Sequence, residues 1–552
     1  MATENSNQKK WKVTVEPFGP SHEQFEKLKS QLQQHPELKL ILTPDKSRLL
    51  HLNLVHPTSK ETTGNGKLLF RATYYDYAMG HAVIVEGDPD SPSKLKIIKS
   101  AVQPLPSVEE YQEALAILHE DKDIAEQLKS KKWRPYKAMP GIRSNILPDG
   151  RTTRILTLGL YPEGHALENE IVGIDLLNRT VIRDDDTFEA PTEALKRLVM
   201  HFNPEDFIFP FFENNSNHIW VFVHDHEGNE IWRMLVYRAP YSSGINGSGL
   251  DLWYVDYRRR RVLYQAHVPI LDVLYDQNIQ EYRDWETEET GFNAVGVPFK
   301  DNSNNNISGF MNCTAPPTTI FDTGSEGNFY GVAVYLDNAN NLSLTTMIGA
   351  GWYRYFMAYS FYTDGTIKPR VGFTTSGANP YANTKHVHHA YFRFDFDIGQ
   401  EFWNNSVFEH SRHLQLQQFG SINIVTTDTL VQFETKKYRS QFNIFFGPSS
   451  YKIMDTTNNV GYFLHPGAVD GTATNDNFGS GDIWILKYHG NEIDDGVQQL
   501  TKPAKAQLDK FINGESVHKA DVVIWYAVHF LHDPSQTKGE NDFGPTLEPA
   551  KW

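Results

Sequence analysis

A single cysteine, Cys313, stands among 552 residues, and this excludes any intrachain disulfide. No run approaches the roughly 18 apolar residues of a membrane span. The start, MATENSNQKKWKV, lacks the apolar core of a secretory signal. Positive charge is also scarce. The 52 basic side chains face 68 acidic ones, a formal charge of −16, so nothing in the field favours nucleic acid. A cationic small substrate suits such a field better. The chain also lacks a fixed-period repeat and a low-complexity tract. The expectation is a soluble, cytoplasmic protein with no membrane and no nucleic-acid partner.

What the chain does have is aromatic side chains, 13% of residues, together with 38 Gly and 29 Pro. That combination points to a β-rich, turn-rich protein. Its length calls for several domains, and three blocks separate. Residues 1–100 hold a helix candidate from Glu23 to Gln34 and then the apolar runs LKLILT, RLLHLNLV, KLLFRATYYDYA and HAVIVEG, which predict a small α+β domain. Residues 101–203 form a second small α+β domain: Ser107 before Glu109 and Glu110 predicts a helix start, another helix covers Ile124 to Leu128, and RTTRILTLGLYP and NEIVGIDLLNRTVIR read as strands. Residues 204–552 carry short aromatic and β-branched runs between turns, including LDLWYVDYRRRRVLYQA, WYRYFMAYSFYTDGTIKPRVGFT, HAYFRFDFDI and DVVIWYAVHFL. These predict one large antiparallel β-sandwich, with NSNNNIS (302–308) as a mobile loop.

The strongest local signal for chemistry is His386-Val387-His388. In an extended chain, residues two apart share a face, so both imidazoles can reach one ion, while His389 points the other way. Imidazole suits copper, zinc, iron or nickel. Seven residues beyond His388, Asp395 and Asp397 share the strand face opposite Phe394 and Phe396. Two carboxylates so placed need a cation or a basic side chain between them, and oxygen ligation suits Ca²⁺, Mg²⁺ or Mn²⁺. Solvent-facing imidazoles and a strand edge shared with Arg393 are the plain alternatives.

Taken together, the third block resembles the copper-containing, topaquinone-dependent amine oxidases. Their catalytic domain carries a cofactor tyrosine in T-x-x-N-Y-[DE], then F-x-x-[DN]-G-T-I, H-x-H-x6-D-x-D, and a late H-x-P after D-[IVL]-V-x-W. Here Trp352-Tyr353-Arg354 precedes FYTDGTIKPRVGFT, His386-Val387-His388 precedes Asp395 and Asp397, and ADVVIWYAVHFLHDP places His532 two before Pro534. Five elements agree in order and spacing. The departures are Trp352 for Asn, Arg354 for an acid and Gly349 for Thr.

The resemblance implies copper held by His386, His388 and His532, and a topaquinone formed from Tyr353 with Trp352 beside it. It implies a second, calcium-like ion on Asp395, Phe396, Asp397, Asp521 and Val522. Tyr275, fourteen residues before Glu289, takes the place of the tyrosine that hydrogen-bonds the quinone, and Glu289 the place of the aspartate base. A primary amine and O2 are the implied substrates, with aldehyde, ammonia and H2O2 as products, in a homodimer. The alternative is a copper-binding homologue without quinone, either non-catalytic or a copper redox enzyme with unmodified Tyr353. An indole at Trp352 cannot make the contacts of an Asn, and Arg354 brings a positive charge where the pattern has a negative one.

Overall fold

The computed structural model describes residues 11–55, 69–100, 103–104, 106–143, 153–162, 170–183, 217–243, 247–275, 281–283, 288–350, 353–375, 386–400, 402–413, 418–432, 446–467, 476, 478–490, 492, 506–532 and 540–552. Among them, two helix-plus-sheet units precede one large β-assembly. Helix His22–Gln34 begins where Ser21 Oγ accepts from the Gln24 backbone N–H and Gln24 Oε1 accepts from that of Ser21. Helix Val108–Glu120 starts in the same way on Ser107 and Glu110. Glu110 also accepts from the buried Arg154 guanidinium at 2.7 and 2.6 Å, which ties that helix to the sheet beneath it. A further helix, Lys122–Lys129, follows directly.

Several segments differ from their sequence reading. The first four residues of LKLILT are helical, within Pro36–Ile41, because Pro36 occupies the first turn, where its missing N–H is not needed. Strand Lys12–Phe18 pairs with His218–His224, so the first block gives a strand to the large assembly. The first block's own four-stranded sheet runs from Ser47–Val55 to Ser91–Ser100. The polar 302–308 stretch is not loose throughout. Asp301 Oδ1 accepts from the Ser303 and Asn305 N–H groups, closing a turn, and Asn306–Cys313 is a strand. The run LDLWYVDYRRRRVLYQA breaks into a hairpin, Gly247–Tyr257 and Arg260–Tyr275, with Arg258 and Arg259 in the left-handed region at φ 49° and 64°. That backbone twist matches the twist of the flanking strands.

The large assembly joins 23 strands, which pack as two layers over a shared core. Three strands of one layer matter for function. His386–Phe396, the histidine strand, lies between Arg260–Tyr275 and Val522–His532, antiparallel to both. In the facing layer the tyrosine strand, Tyr353–Phe361, lies between Leu342–Ala350 and Ile367–Thr375, again antiparallel. The turn after the tyrosine strand uses Asp364-Gly365, with Gly365 at φ 95°.

The inner residues of the two layers alternate with period 2, as strands require. Tyr353, Tyr355, Met357, Tyr359 and Phe361 meet Ala390, Phe392, Phe394 and Phe396 in one cluster. The histidine strand is covered on its other face as well, where Tyr391 packs with Trp484 and Trp525. Burial on both sides explains why its sequence shows no simple apolar–polar alternation.

Candidate metal centre

Parity and register build the site. His386 and His388 project from the inner face of the histidine strand, and His532, the last residue of Val522–His532, stands directly opposite His386. The three imidazoles place ligating nitrogens within 4.8 Å of one another, with His532 Nδ1 3.1 Å from His386 Nε2. His386 and His388 are buried.

From the facing layer, the Tyr353 hydroxyl reaches His386 Nε2 at 2.8 Å, and the Tyr355 hydroxyl reaches His388 Nδ1 at 3.0 Å. The Tyr353 ring meets the His388 ring edge-on at 4.5 Å between centroids, and Phe373 stacks on His388 at 4.2 Å. Burial first, and then the neighbouring imidazoles, hold the His388 pKa well below the usual histidine range. A neutral ring is the form that binds a metal. His388 Nε2 is buried and has no hydrogen-bond partner. An open nitrogen facing two others is a donor set that fits copper, and zinc as well.

The carboxylate group lies at the far end of the same strand. Asp395, Asp397 and Asp521 bring oxygens within 4.8 Å of one another, and Phe396 pairs with Val522 across the ladder, so both implied carbonyl donors stand beside them. The Arg393 guanidinium lies 3.5 Å from an Asp395 oxygen, a basic partner inside the acidic cluster.

The remaining sequence candidates are placed less directly. Tyr275 pairs with His386 along the backbone. Trp352 lies outside the described residues. Glu289 is buried, and its backbone pairs with Ile348, which itself pairs with Tyr355. Directly paired strand residues share a face, so Glu289 lies on the tyrosine side of the sheet, two strands over, about 10 Å away at Cα. There its carboxylate is held by Arg238 through two bonds of 2.5 Å. Burial pushes the Glu289 carboxyl up, with Arg238 opposing. Arg354 does not face the tyrosine ring. It pairs with Glu326 and donates from Nη1 to the Tyr353 carbonyl at 2.9 Å, so its charge is answered locally.

Sequence reasoning missed Arg238, Glu326, Phe373 and Tyr355. Only Tyr355 carried a signal, its two-residue spacing from Tyr353 matching that of His386 and His388. The others reach the site from strands or turns whose pairing the sequence does not state.

Comparison with known proteins follows the same lines. Residues 328–538 match the family model described as copper amine oxidase, enzyme domain. The fold is similar to a copper-containing benzylamine oxidase from Hansenula polymorpha, at 14% identity and TM-score 0.56 over 95% of each chain. It is also similar to a Pichia pastoris lysyl oxidase, at 13% identity and TM-score 0.55 over 99% of this chain and 90% of that one. A sequence comparison with curated proteins finds no match. The chain thus has the fold of the copper amine oxidases in a strongly diverged sequence, with the family's enzyme domain recognisable over residues 328–538.

Proposed function

We propose that this chain is a copper-dependent oxidase of primary amines, yielding aldehyde, ammonia and hydrogen peroxide, with Tyr353 as the precursor of its quinone. The observation that carries the reading is the 2.8 Å contact between the Tyr353 hydroxyl and His386 Nε2 inside a three-imidazole cluster. His386 Nε2, His388 Nε2 and His532 Nδ1 would hold the metal. When bound, copper with O2 supplies the oxidation that makes the quinone and takes up the electrons removed from the amine.

This chain's residues do the rest. Tyr353 is fully buried between two layers, so bulk water is kept from its ring. Glu289 is the proton acceptor for the carbon next to the amine nitrogen. Arg238 favours its ionised form but occupies both of its oxygens, so the ion pair has to open for Glu289 to act. Tyr275, whose backbone pairs with His386, is the residue we assign to orienting the cofactor. A second divalent ion, calcium-like, belongs to Asp395, Asp397 and Asp521, and the assembly is a homodimer; light scattering at monomer mass refutes that last element alone.

The Arg238–Glu289 pair favours a second reading, a copper protein whose Tyr353 stays unmodified. One experiment separates the two. Protein loaded with copper in air is treated with phenylhydrazine, which captures a quinone carbonyl as a coloured adduct. The expected results are colour and a mass change in the Tyr353 peptide, both absent from His388→Ala. A colourless copper-loaded protein with unchanged Tyr353 mass overturns the amine oxidase reading in favour of the second.

A further inference from the structure

We infer that Tyr355 is the positioning residue for the copper site, holding the His388 ring and accepting from its far nitrogen in the metal-binding tautomer; the inference rests on the metal site proposed above. Tyr353 and Tyr355 share a strand face, as do His386 and His388, and each hydroxyl meets one imidazole. The two contacts are not equivalent. Tyr353 meets Nε2 of His386, the nitrogen that also faces His532. Tyr355 meets Nδ1 of His388, leaving Nε2 of that ring without a partner.

A neutral imidazole carries one N–H. If Nε2 is to donate its lone pair to a metal, the proton must sit on Nδ1, and a buried Nδ1–H needs an acceptor. The Tyr355 oxygen is in place at 3.0 Å, and Tyr355 itself is 1% exposed. Phe373 stacks on the His388 ring and limits its tilt, but a stacking ring cannot choose between the two nitrogens. Tyr355, whose hydroxyl can accept as well as donate, supplies the acceptor that the Nδ1–H tautomer requires. Its oxygen lies behind His388 rather than among the ligating nitrogens, so the same contact assigns Tyr355 a different task from Tyr353.

The strand supplies its own control. Tyr359 projects from the same face, is equally buried, and has a hydroxyl without a hydrogen-bond partner. Removing that oxygen deletes a phenol of the same strand and core without touching an imidazole.

The test is copper titration and EPR on the full chain, as wild type, Tyr355→Phe and Tyr359→Phe, with apo-protein melting as the check on folding. Tyr355→Phe is expected to bind Cu(II) about 10–100-fold more weakly, with altered EPR parameters and an apo melting point matching Tyr359→Phe. Tyr359→Phe keeps the wild-type affinity and spectrum. Wild-type affinity and an unchanged spectrum in Tyr355→Phe overturn the inference while the copper site stands. Copper binding absent from the wild type defeats the site and the inference together, and is seen before any variant is made. If Tyr355→Phe does not fold, Tyr355→Gln, which retains an acceptor oxygen, is compared with Tyr355→Leu, which does not. Equal copper affinity in that pair overturns the inference, and tighter binding by Tyr355→Gln supports it.

Discussion

The two faces of the histidine strand solve opposite problems with neighbouring residues. Inward, His386 and His388 are followed by Ala390, Phe392, Phe394 and Phe396, so two nitrogen donors end a purely apolar stripe. Outward, His389, Tyr391, Arg393 and Asp395 are hydrogen-bonded or ion-paired in series. His389 Nδ1 meets His529 Nδ1 at 2.6 Å, Tyr391 bonds Asp476, and Arg393 binds Glu492 at 2.8 Å and Gln265 at 2.9 Å. His388 and His389 each have Nδ1 engaged by a protein side chain and Nε2 without a hydrogen-bond partner, so what differs is the company: His386 and His532 inward, His529 and the Asp476 carboxylate outward. Strand parity decides which histidine joins the three-imidazole cluster and which joins the His529 and Asp476 group.

The sharpest way to break this contrast is Arg393→Met. The guanidinium is fully buried, and burial opposes its charge while Glu492 and Asp395 restore it. Removing it leaves two buried carboxylates without their counter-charge, a loss of about 3–5 kcal/mol in unfolding free energy. Urea unfolding followed by tryptophan fluorescence reads that loss. Copper affinity is expected to stay near wild type, because the lost group faces away from the imidazoles. A parallel fall in copper affinity means that the faces are coupled and the contrast is false.

A smaller effect tests the acidic end of the same strand. Asp395, Asp397 and Asp521 converge, yet Arg393 already lies beside Asp395. If a divalent cation binds there, Ca²⁺ at a hundred times its dissociation constant stabilises the protein by about 2.7 kcal/mol. Asp397→Asn is expected to abolish that gain without altering copper uptake. A melting point unmoved by Ca²⁺, Mg²⁺ or Mn²⁺ shows that the carboxylates are balanced by the protein and not by a divalent ion.

Much of this contrast was legible in the sequence, for a physical reason. Period-2 geometry separates His386 and His388 from His389, and Asp395 from Phe396, without any knowledge of the fold. What parity cannot give is the partner across the ladder. His532 and Asp521 were placed through family resemblance, and their register against His386 and Phe396 emerged only in the folded sheet. Arg238 had no local mark at all, since a strand arginine reads as solvent-facing until a buried carboxylate is seen to receive it. The hairpin at Arg258–Arg259 escaped notice because its turn lacks the Asn-Gly or Asp-Gly that signals one, whereas Asp364-Gly365 has it.

The smallest effect concerns an imidazole that serves neither ion nor partner. His267 pairs with Arg393 across the ladder, is fully buried, and has no hydrogen-bond partner on either ring nitrogen. Burial first, and then the Arg393 charge, hold its pKa well below the usual histidine value of 6.5. The folded protein therefore keeps His267 neutral, while the unfolded chain takes up a proton as pH falls through that ordinary value. Below it the unfolded state binds more protons, so stability rises with pH and is lost on acidification. One such group costs about 1 kcal/mol between pH 6.5 and 5.5, and about 1.4 kcal/mol for each further unit until the folded-state pKa is reached. Replacing the ring by one that cannot titrate, His267→Phe, should flatten the pH dependence of urea unfolding by that amount, relative to wild type at the same two pH values. The inner-face imidazoles do not confuse the comparison, because they are present in both proteins. An identical pH slope in wild type and variant would mean that His267 is charged inside the fold, and the outer face would then have to hold a second buried cation beside Arg393.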